Sequence, residues 1–400
     1  MRILFISSSF PPETDMQTTR NIYLVKALLE HGHQVDIITC GEKTKSSELF
    51  DTVLDKTNIY RTKHPLIYRW HKFINQNVKN NFIKKIHNIS VNYYARPDLY
   101  AGWDDLVCKE MNSNNLFDYD VVISSSGSFT AHIAANKWKR KTNRKWVAEY
   151  GDPWGLNSFG EINERYYKQE ESIMKDCDGF VFTTQATIDA YKRNYRNQKQ
   201  YALVPCGFGD IIEDIEHEKK EVVFTYTGTA YKRDRNLAPF IESVCKRTDV
   251  KALFVGSISG DIQQAYQSYD NVIFKGRVPY DESLQLIGKT DVLVHIGNFG
   301  TMQVPGKTYI YLSSKKPILY VQQQEENDPT LAVIEKFKAV ITCKNTFEDI
   351  SKSIDTLIKD FSKLKKDAKE RINSEELQQF SWAQLGLKFE QFVKSIVEQQ

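Results

Sequence analysis

The chain has 400 residues, of which 41% are hydrophobic, and a formal net charge of +3 at pH 7. This length exceeds what one hydrophobic core usually supports, and the small net charge argues against wholesale nucleic-acid binding. The six cysteines are far apart and form no paired motif, which favours free thiols in a reducing compartment. The apolar run at the start is too short for a signal peptide, and no segment approaches the roughly 18 apolar residues of a transmembrane helix. We therefore expect a two-domain cytoplasmic protein.

The N-terminal part is predicted to be an α/β domain over residues 1–208. It starts with a βαβ unit, in which a helix over residues 21–30 ends at Gly32 between two buried strands. Strands of this domain are predicted at residues 2–7, 34–39, 121–124, 146–150, 179–183 and 201–204.

Residues 59–97 differ in composition from the rest of the chain. They carry eight basic residues, no Asp or Glu, and interleaved aromatic side chains. This composition suits an anionic membrane surface, to which each basic residue contributes about 1 kcal/mol. A solvated face of a helical insertion is the plain alternative, and nucleic acid is disfavoured because the chain has no recognition motif. The basic residues are Arg61, Lys63, Arg69, Lys72, Lys79, Lys84, Lys85 and Arg96.

A polar stretch over residues 209–221 is predicted to be an interdomain linker. A second βα series follows over residues 222–376, and residues 377–400 are predicted to form a helix that crosses back to the first domain. Two doubly wound sheets joined in this way place a cleft between the carboxyl ends of their strands. Strands of the second domain are predicted at residues 222–227, 251–255, 272–274, 291–296, 317–321 and 339–342.

The most informative segment of the second domain surrounds a buried strand at residues 291–296. Flexible residues 297–300 follow this strand, and Pro305 and Gly306 then begin a helix that carries Lys307. Backbone N–H groups at a helix start, together with an ammonium group, suit a diphosphate. The segment therefore predicts a site for a nucleotide sugar.

Several motifs in order resemble the GT-B glycosyltransferases, specifically the large retaining family numbered four, also called glycosyltransferase group 1. They span nearly the whole chain, and their order and spacing predict a GT-B fold with two doubly wound Rossmann-like domains facing each other across a cleft. The motifs are the Phe10-Pro11-Pro12 loop, Val204-Pro205-Cys206-Gly207, Thr227-Gly228 with Lys232 and Arg233, Gly276-Arg277-Val278-Pro279, Val304-Pro305-Gly306-Lys307 and Phe380-Ser381-Trp382.

The resemblance implies that the second domain binds a UDP- or GDP-linked sugar and that the first domain binds the acceptor. It implies a diphosphate site at Gly228, Lys232 and Arg233, a second phosphate contact at Gly306 and Lys307, and contacts to the base from Gly276, Arg277 and Val278. No cofactor and no metal is expected, because these cations would neutralise the diphosphate. Asp118-Tyr119-Asp120 has the spelling of a metal motif, but it directly precedes an apolar strand and is interpreted as a strand-entry cap.

Three residues of the first domain are candidates for catalysis. Asp152 matches the loop at a strand end that approaches the reacting sugar in the family, although it could simply cap a turn. Glu149 precedes it on the strand and could instead be a buried ion-pair partner. His132 lies on a helix near the expected cleft, where it could face the acceptor or pack in the core.

The chain departs from the family at a pair of glutamates, which align here with Met302 and Ile310. Neither side chain can accept a hydrogen bond from a sugar hydroxyl, and losing such a bond to a charged group costs about 1.5 to 3 kcal/mol. Our leading hypothesis is a retaining, metal-independent glycosyltransferase that acts on a glycan or polyprenyl-linked acceptor in bacterial surface polysaccharide synthesis, at the inner face of the plasma membrane. The alternatives are a catalytically inactive homologue that binds a partner, and an epimerase or phosphorylase on the same scaffold.

Overall fold

The computed structural model describes residues 1–11, 13, 15–42, 48–215, 221–230 and 235–399, and the chain divides into two compact units. Unit 1 comprises Met1–Pro205 and Gly386–Gln400, and unit 2 comprises Cys206–Leu385. Each unit contains one parallel sheet with helices, so the predicted α/β architecture of two doubly wound sheets is confirmed.

Unit 1 contains a sheet that has seven strands among the described residues, in the order β3-β2-β1-β4-β5-β6-β7, with every neighbouring pair parallel. Parallel pairing requires crossover connections, which the helices supply. The strands are β1 (Arg2–Ile6), β2 (Gln34–Cys40), β3 (Asn58–Thr62), β4 (Val121–Ser125), β5 (Lys145–Tyr150), β6 (Gly179–Phe182) and β7 (Gln200–Leu203). The helices are α1 (Met16–Glu30), α2 (Glu48–Leu54), α3 (Leu66–Asn77), α4 (Asn81–Tyr94), α5 (Trp103–Ser113), α6 (Thr130–Thr142), α7 (Glu164–Met174) and α8 (Gln185–Tyr195).

The central strands of this sheet are buried because helices cover both faces. Every residue of β4 is buried, as are Ile3 to Ile6 of β1. Continuous burial is typical of parallel strands between two helical layers. Helix α1 begins after Asp15, whose carboxylate accepts a hydrogen bond from the backbone N–H of Thr18 at 2.6 Å. Strand β3 was not predicted, because its NIYRT sequence is only partly buried at the sheet edge.

Unit 2 contains a sheet that has six strands among the described residues, in the order β10-β9-β8-β11-β12-β13, again entirely parallel. Its core is built on aromatic and branched side chains such as Phe224, Tyr226 and Phe254. The strands are β8 (Val222–Thr227), β9 (Val250–Val255), β10 (Val272–Gly276), β11 (Val292–Ile296), β12 (Ile318–Gln322) and β13 (Val340–Lys344). The helices are α9 (Ala238–Cys245), α10 (Gly260–Tyr266), α11 (Tyr280–Lys289), α12 (Lys307–Leu312), α13 (Pro329–Ile334), α14 (Phe347–Lys359), α15 (Phe361–Arg371) and α16 (Glu375–Gln378).

The last helix, α17 (Trp382–Glu398), starts in unit 2 and belongs to unit 1 from Gly386 onward. Gly386 lies against Ala27, since a Cβ atom added there would be 2.4 Å from the Ala27 Cβ. Further along, Glu390 Oε1 is 2.9 Å from His33 Nε2. The helix therefore packs against α1 at Gly386 and against the segment between α1 and β2 at Glu390.

The described part of the segment predicted as a linker is bound to unit 2. The backbone N–H groups of Ile212 and Ile215 donate to the carbonyls of Ser313 and Gly288. Asp214 accepts from Lys316 and Lys365, and these partners lower its pKa to about 2 although burial opposes the shift. The two compact units divide after Pro205, and the described part of this polar segment belongs to unit 2. No helix among the described residues is long and apolar enough to span a membrane.

Candidate functional site

The strand order of unit 2 places a topological switch point between β8 and β11. From β8 the chain proceeds outward through β9 to β10, and it then returns to the other side of β8 to continue through β11 to β13. In open parallel sheets, ligands bind outside the carboxyl ends of the strands at such a point. The candidate site therefore starts from Gly228, which follows β8, and from Gly297, which follows β11.

Two cations, Lys307 and Arg235, lie at this edge of the sheet. Lys307 Nζ is 3.8 Å from the centroid of the Tyr226 ring and 3.4 Å from the carbonyl oxygen of Thr227. Arg235 donates to Asn298 Oδ1 at 2.7 Å and to the carbonyl of Thr229 at 2.5 Å. Among the described residues no carboxylate pairs with either cation, whereas the buried Arg20 and Lys316 each have one.

The two cations are close enough to affect each other's surroundings. Burial, and secondarily the positive charge of Arg235, lower the pKa of Lys307 well below its ordinary value. The pKa of His295 is also well below its ordinary value. Burial of the ring is the main cause, and the positive charges of Lys307 and Arg235 add to it. His295 Nε2 lies 2.8 Å from Thr308 Oγ1, and its Nδ1 has no hydrogen-bond partner. An anion between these groups would relieve the uncompensated positive charge.

Glycines bring the backbone of three neighbouring strand ends together. The N–H of Gly228 donates to Val255, and the N–H of Gly256 donates to Gly276, at 2.8 and 2.7 Å. A Cβ atom at Gly256 would be 2.1 Å from the Gly228 carbonyl oxygen, and the φ angles of the three glycines are +117°, +130° and +78° in chain order. Only glycine permits this approach. Gly256 was missed by the sequence analysis, although its position directly after a predicted strand was the available signal.

The other residues predicted to bind the donor lie in different surroundings. Gly306 and Lys307 lie at the start of α12, which has only six residues, so its dipole is short and the ammonium group must supply most of the charge. Arg277 is exposed and donates from Nε to Ser257 Oγ at 2.6 Å, and Val278 beside it is partly buried. Lys232 and Arg233 lie outside the described residues.

The two positions that depart from the family pattern are apolar inside the fold as well. Met302 is 2% exposed and Ile310 is 8% exposed, so both side chains pack in the interior of unit 2. Nothing at these positions can hold a ribose or sugar hydroxyl. Tyr311, next to Ile310, instead joins α12 to the end of β8, because its hydroxyl accepts from the Thr227 N–H at 2.7 Å.

In unit 1 the three catalytic candidates differ in their exposure to solvent. Asp152 is exposed on the loop after β5. Glu149 is fully buried, where its carboxylate accepts from Arg20 Nε at 2.6 Å, and from Ser125 and Gln17. This pairing favours the structural alternative for Glu149 over the catalytic one.

His132 also lies in the core of unit 1 and not at its surface. The ring is fully buried and stacks on Tyr150 with 4.4 Å between centroids, and Nδ1 is 2.8 Å from Ser124 Oγ. Burial lowers the pKa of His132 to about 3. A neutral, enclosed imidazole cannot exchange a proton with an acceptor, so the packing role expected as the alternative fits the structure better.

The loop that carries Asp152 is attached to a buried carboxylate that the sequence analysis did not identify. Glu170 on α7 accepts from the Gly155 N–H at 2.7 Å and from the hydroxyls of Tyr191 and Tyr195. The Tyr191 hydroxyl in turn accepts from the N–H of Trp154 at 3.0 Å. Burial raises the pKa of Glu170 to about 7, since its partners only partly compensate for the loss of water.

The Asp118-Tyr119-Asp120 sequence lies at the opposite edge of the sheet, before β4. Asp118 accepts from the Arg2 guanidinium, Asp120 accepts from the Arg2 N–H, and the Tyr119 hydroxyl donates to Asp36. Within the described parts of the chain, no group of three or more His, Cys, Asp or Glu side chains could hold a metal ion.

Comparison with known proteins gives matches at the level of structure only. No protein-family model matches the chain, and no curated protein sequence matches it. Sucrose-phosphate synthase from Thermosynechococcus elongatus is similar with a TM-score of 0.70 and 13% identity, covering 98% of each chain. HepE from Anabaena in complex with UDP has a TM-score of 0.67 and 12% identity, covering 99% of this chain and 100% of that one. A glycosyltransferase from Rickettsia africae has a TM-score of 0.66 and 16% identity, covering 100% of this chain and 99% of that one.

At these identities the likeness concerns the fold and not the activity. The matches extend over both units, and the matched proteins are GT-B glycosyltransferases. Together with the two parallel sheets and their strand orders, they show that the chain has the GT-B fold.

Proposed function

We propose that the protein is a glycosyltransferase that transfers a sugar from a nucleotide-sugar donor, with the donor bound by unit 2 and the acceptor by unit 1. The observation that carries this proposal is the pair of cations at the switch point of unit 2. Lys307 and Arg235 are partly buried, lie at the carboxyl edge of the sheet, and have no carboxylate partner among the described residues. An uncompensated charge of this kind at this edge fits a diphosphate.

The chemistry requires the negative charge that develops on the departing diphosphate to be neutralised. Lys307 and Arg235 supply fixed positive charge in a partly desolvated place, where electrostatic stabilisation is stronger than in water. A Cβ atom added at Gly228 or Gly276 would meet no atom within 4 Å, so these two strand ends are open to a ligand. HepE, a protein of the same fold, binds UDP and UDP-glucose in its solved structures. A UDP- or GDP-linked donor is therefore the class to test first, with Lys232, Arg233, Gly306, Arg277 and Val278 as further contacts.

For the reaction itself, the resemblance to the retaining family supports retention of configuration without a metal or a cofactor. Asp152 is an exposed acidic group at the start of the loop after β5, and it is the candidate to approach the reacting sugar or the acceptor hydroxyl. Glu149 and His132 are assigned supporting roles in the core, since both side chains are fully buried.

The acceptor proposed for unit 1 is a glycan or a polyprenyl-linked saccharide of a bacterial surface polymer. The basic and aromatic composition of residues 59–97 supports a protein of the cytoplasm that associates peripherally with the inner face of the plasma membrane.

A second candidate is a catalytically inactive homologue that binds a partner protein or a glycan. The specific observation in its favour is the apolar burial of Met302 and Ile310, where relatives carry carboxylates. Lys307 and Arg235 argue against this candidate. Partly burying two charges that have no carboxylate partner among the described residues is unfavourable unless an anionic ligand compensates for them.

Calorimetry with UDP, GDP, ADP, CDP and TDP separates the two candidates. A transferase is expected to bind one or two of these nucleotides in the micromolar range and to hydrolyse the matching nucleotide sugar slowly without an acceptor. Asp152→Asn is expected to keep nucleotide affinity and to lose turnover. If the protein bound none of the five, the inactive homologue would be the better explanation. Binding without any turnover of the matching sugars would also contradict the transferase assignment.

A further inference from the structure

Helix α4 turns its partly buried residues toward the protein and a stripe of apolar side chains toward solvent. The partly buried residues Lys84 and His87 are three positions apart and contact α3. Lys84 Nζ donates to the Asn75 carbonyl at 2.8 Å, and the His87 ring stacks on His71 with 5.4 Å between centroids. The polar face of α4 therefore makes its contact with α3.

The opposite face of α4 is apolar and exposed. Phe82, Ile86, Ile89 and Tyr93 are spaced by four, three and four residues, which places them along one stripe, and each is between 50% and 69% exposed. A surface helix normally buries such a stripe in the core of the protein. Because the stripe on α4 is exposed, we expect it to contact an apolar environment outside the chain.

Helix α3 also carries exposed apolar side chains. Leu66, Trp70 and Phe73 lie one turn apart on its outer face, and the Trp70 and Phe73 rings stack with 5.8 Å between centroids. Together with Ile83 and Tyr94, the two helices carry nine of the fifteen large apolar side chains that are exposed among the described residues. We call these nine side chains the apolar face of the α3–α4 pair.

Charge identifies the occupant of this face. Residues 59–97 contain no acidic side chain, and Arg69, Lys72, Lys79, Lys85 and Arg96 are exposed in the same segment as the apolar face. A second copy of the chain would bring these cations against identical cations, which is unfavourable. An anionic bilayer offers negative headgroups beside an apolar interior, and it matches both properties.

We infer that the α3–α4 pair is the membrane-docking element of this protein, with its apolar face inserted at the headgroup and acyl boundary of an anionic bilayer. The inference deepens the proposed function, since it names the surface by which a transferase would reach a lipid-linked acceptor. The helices belong to unit 1, and their docking requires no nucleotide.

Tryptophan fluorescence gives a direct test with the full chain and no substrate. Trp70 is 60% exposed, whereas the other five tryptophans, Trp103, Trp138, Trp146, Trp154 and Trp382, are at most 4% exposed. Vesicles rich in phosphatidylglycerol are expected to shift the emission to the blue, and brominated acyl chains are expected to quench it. Neither change should occur in Trp70→Phe, while co-sedimentation of that variant with vesicles should persist.

Two pairs of variants locate the binding surface by vesicle co-sedimentation. Phe82→Gln/Ile86→Gln is expected to weaken partitioning about tenfold or more, because two exposed apolar groups are lost from the face. Lys79→Gln/Lys85→Gln is expected to weaken it about 25-fold at low salt, at roughly fivefold for each basic residue. The matched controls in unit 2, Tyr269→Gln and Lys363→Gln/Lys366→Gln, are expected to partition as the unaltered chain does, because they remove exposed groups of the same kinds elsewhere.

Three outcomes would overturn the inference. One is equal binding to neutral phosphatidylcholine vesicles, and another is an equal loss of binding in the control lysine variant. The third is a dimer, detected without lipid by ultracentrifugation, that Phe82→Gln/Ile86→Gln converts to monomers, because the face would then be a self-interface. Nucleotide calorimetry is independent of all three, so the donor site would still stand or fall by its own test.

Discussion

Replacing Lys307 by methionine removes one positive charge from the site and keeps most of the side-chain volume. The ammonium group lies over the Tyr226 ring and near the Thr227 carbonyl, and no described carboxylate is its partner. Methionine can occupy the same space against the ring without leaving a cavity. The substitution therefore tests the charge of Lys307 separately from its packing.

The expected loss of nucleotide affinity follows from the value of a charged hydrogen bond. A bond between an ammonium group and a phosphate contributes about 1.5 to 3 kcal/mol, which corresponds to about a 10- to 150-fold rise in Kd for the nucleoside diphosphate. The nucleoside without phosphates should be unaffected. Calorimetry with UDP or GDP, whichever the protein selects, measures the difference directly.

The pH dependence of binding carries a second signature. Burial and Arg235 lower the pKa of Lys307 in the free protein, and a bound anion would raise it again. Affinity should consequently fall as pH rises through the lowered pKa. The stability of the free protein should change in the opposite direction: between the lowered pKa and the ordinary value near 10.4, the unfolded chain binds more protons, so stability rises with pH.

Lys307→Met should abolish both of these pH dependences. The matched control is Lys289→Met, which removes an exposed lysine from the last turn of α11 in the same unit. A Kd for Lys307→Met within about twofold of that of Lys289→Met would refute the reasoning, because a charge that contacts the diphosphate cannot be removed at so small a cost.

The other predictions concern stability and can be measured by denaturant unfolding. Gly256→Ala should destabilise the protein by at least about 2 kcal/mol and weaken nucleotide binding. The control is Gly260→Ala, which should be nearly neutral because its added Cβ meets nothing within 4 Å. Equal effects of the two substitutions would contradict the close contact at Gly256. Because the pKa of Glu170 in the folded protein is raised to about 7, stability should fall as pH rises from about 4.5 to about 7. Glu170→Gln should remove this pH dependence of stability and increase hydrogen exchange at the Gly155 amide. An unchanged pH dependence would exclude Glu170 as its source. Arg20→Met should cost about 3 to 5 kcal/mol by leaving Glu149 buried and unpaired, and Arg20→Met/Glu149→Leu should recover part of that loss; no recovery would mean that the carboxylate is not the cause.

Much of the fold could be predicted from local sequence. Apolar runs alternating with helical periodicity predict parallel sheets with helices on both faces, and this pattern is strong in β1, β4 and β11, which are buried along nearly their whole length. Strand β3 escaped prediction because an edge strand is only half covered and its basic residue interrupts the apolar pattern. Local periodicity reports burial, and burial is incomplete at the edge of a sheet.

The candidate site shows a similar division. Gly228, Gly276 and Lys307 were identifiable because strand ends and helix starts have local signals, and the strand order brings them to one edge. Arg235 was not singled out, because five of the six residues in the sequence YKRDRN are charged or polar, and only its electrostatic effect on Lys307 distinguishes it. Gly256 required knowledge of which backbone lies opposite it.

The sequence by itself determined that this chain forms two parallel α/β units, since the periodicity of apolar residues is a property of neighbours along the chain. Only the tertiary structure decided which polar side chains are buried in the interior and which are exposed to solvent. Glu149 and His132 have the residue types of catalytic groups, but long-range packing buries them, while α4 turns its apolar stripe away from the protein. Both outcomes depend on contacts between segments far apart in the chain, and such contacts leave no local periodicity from which they could be predicted.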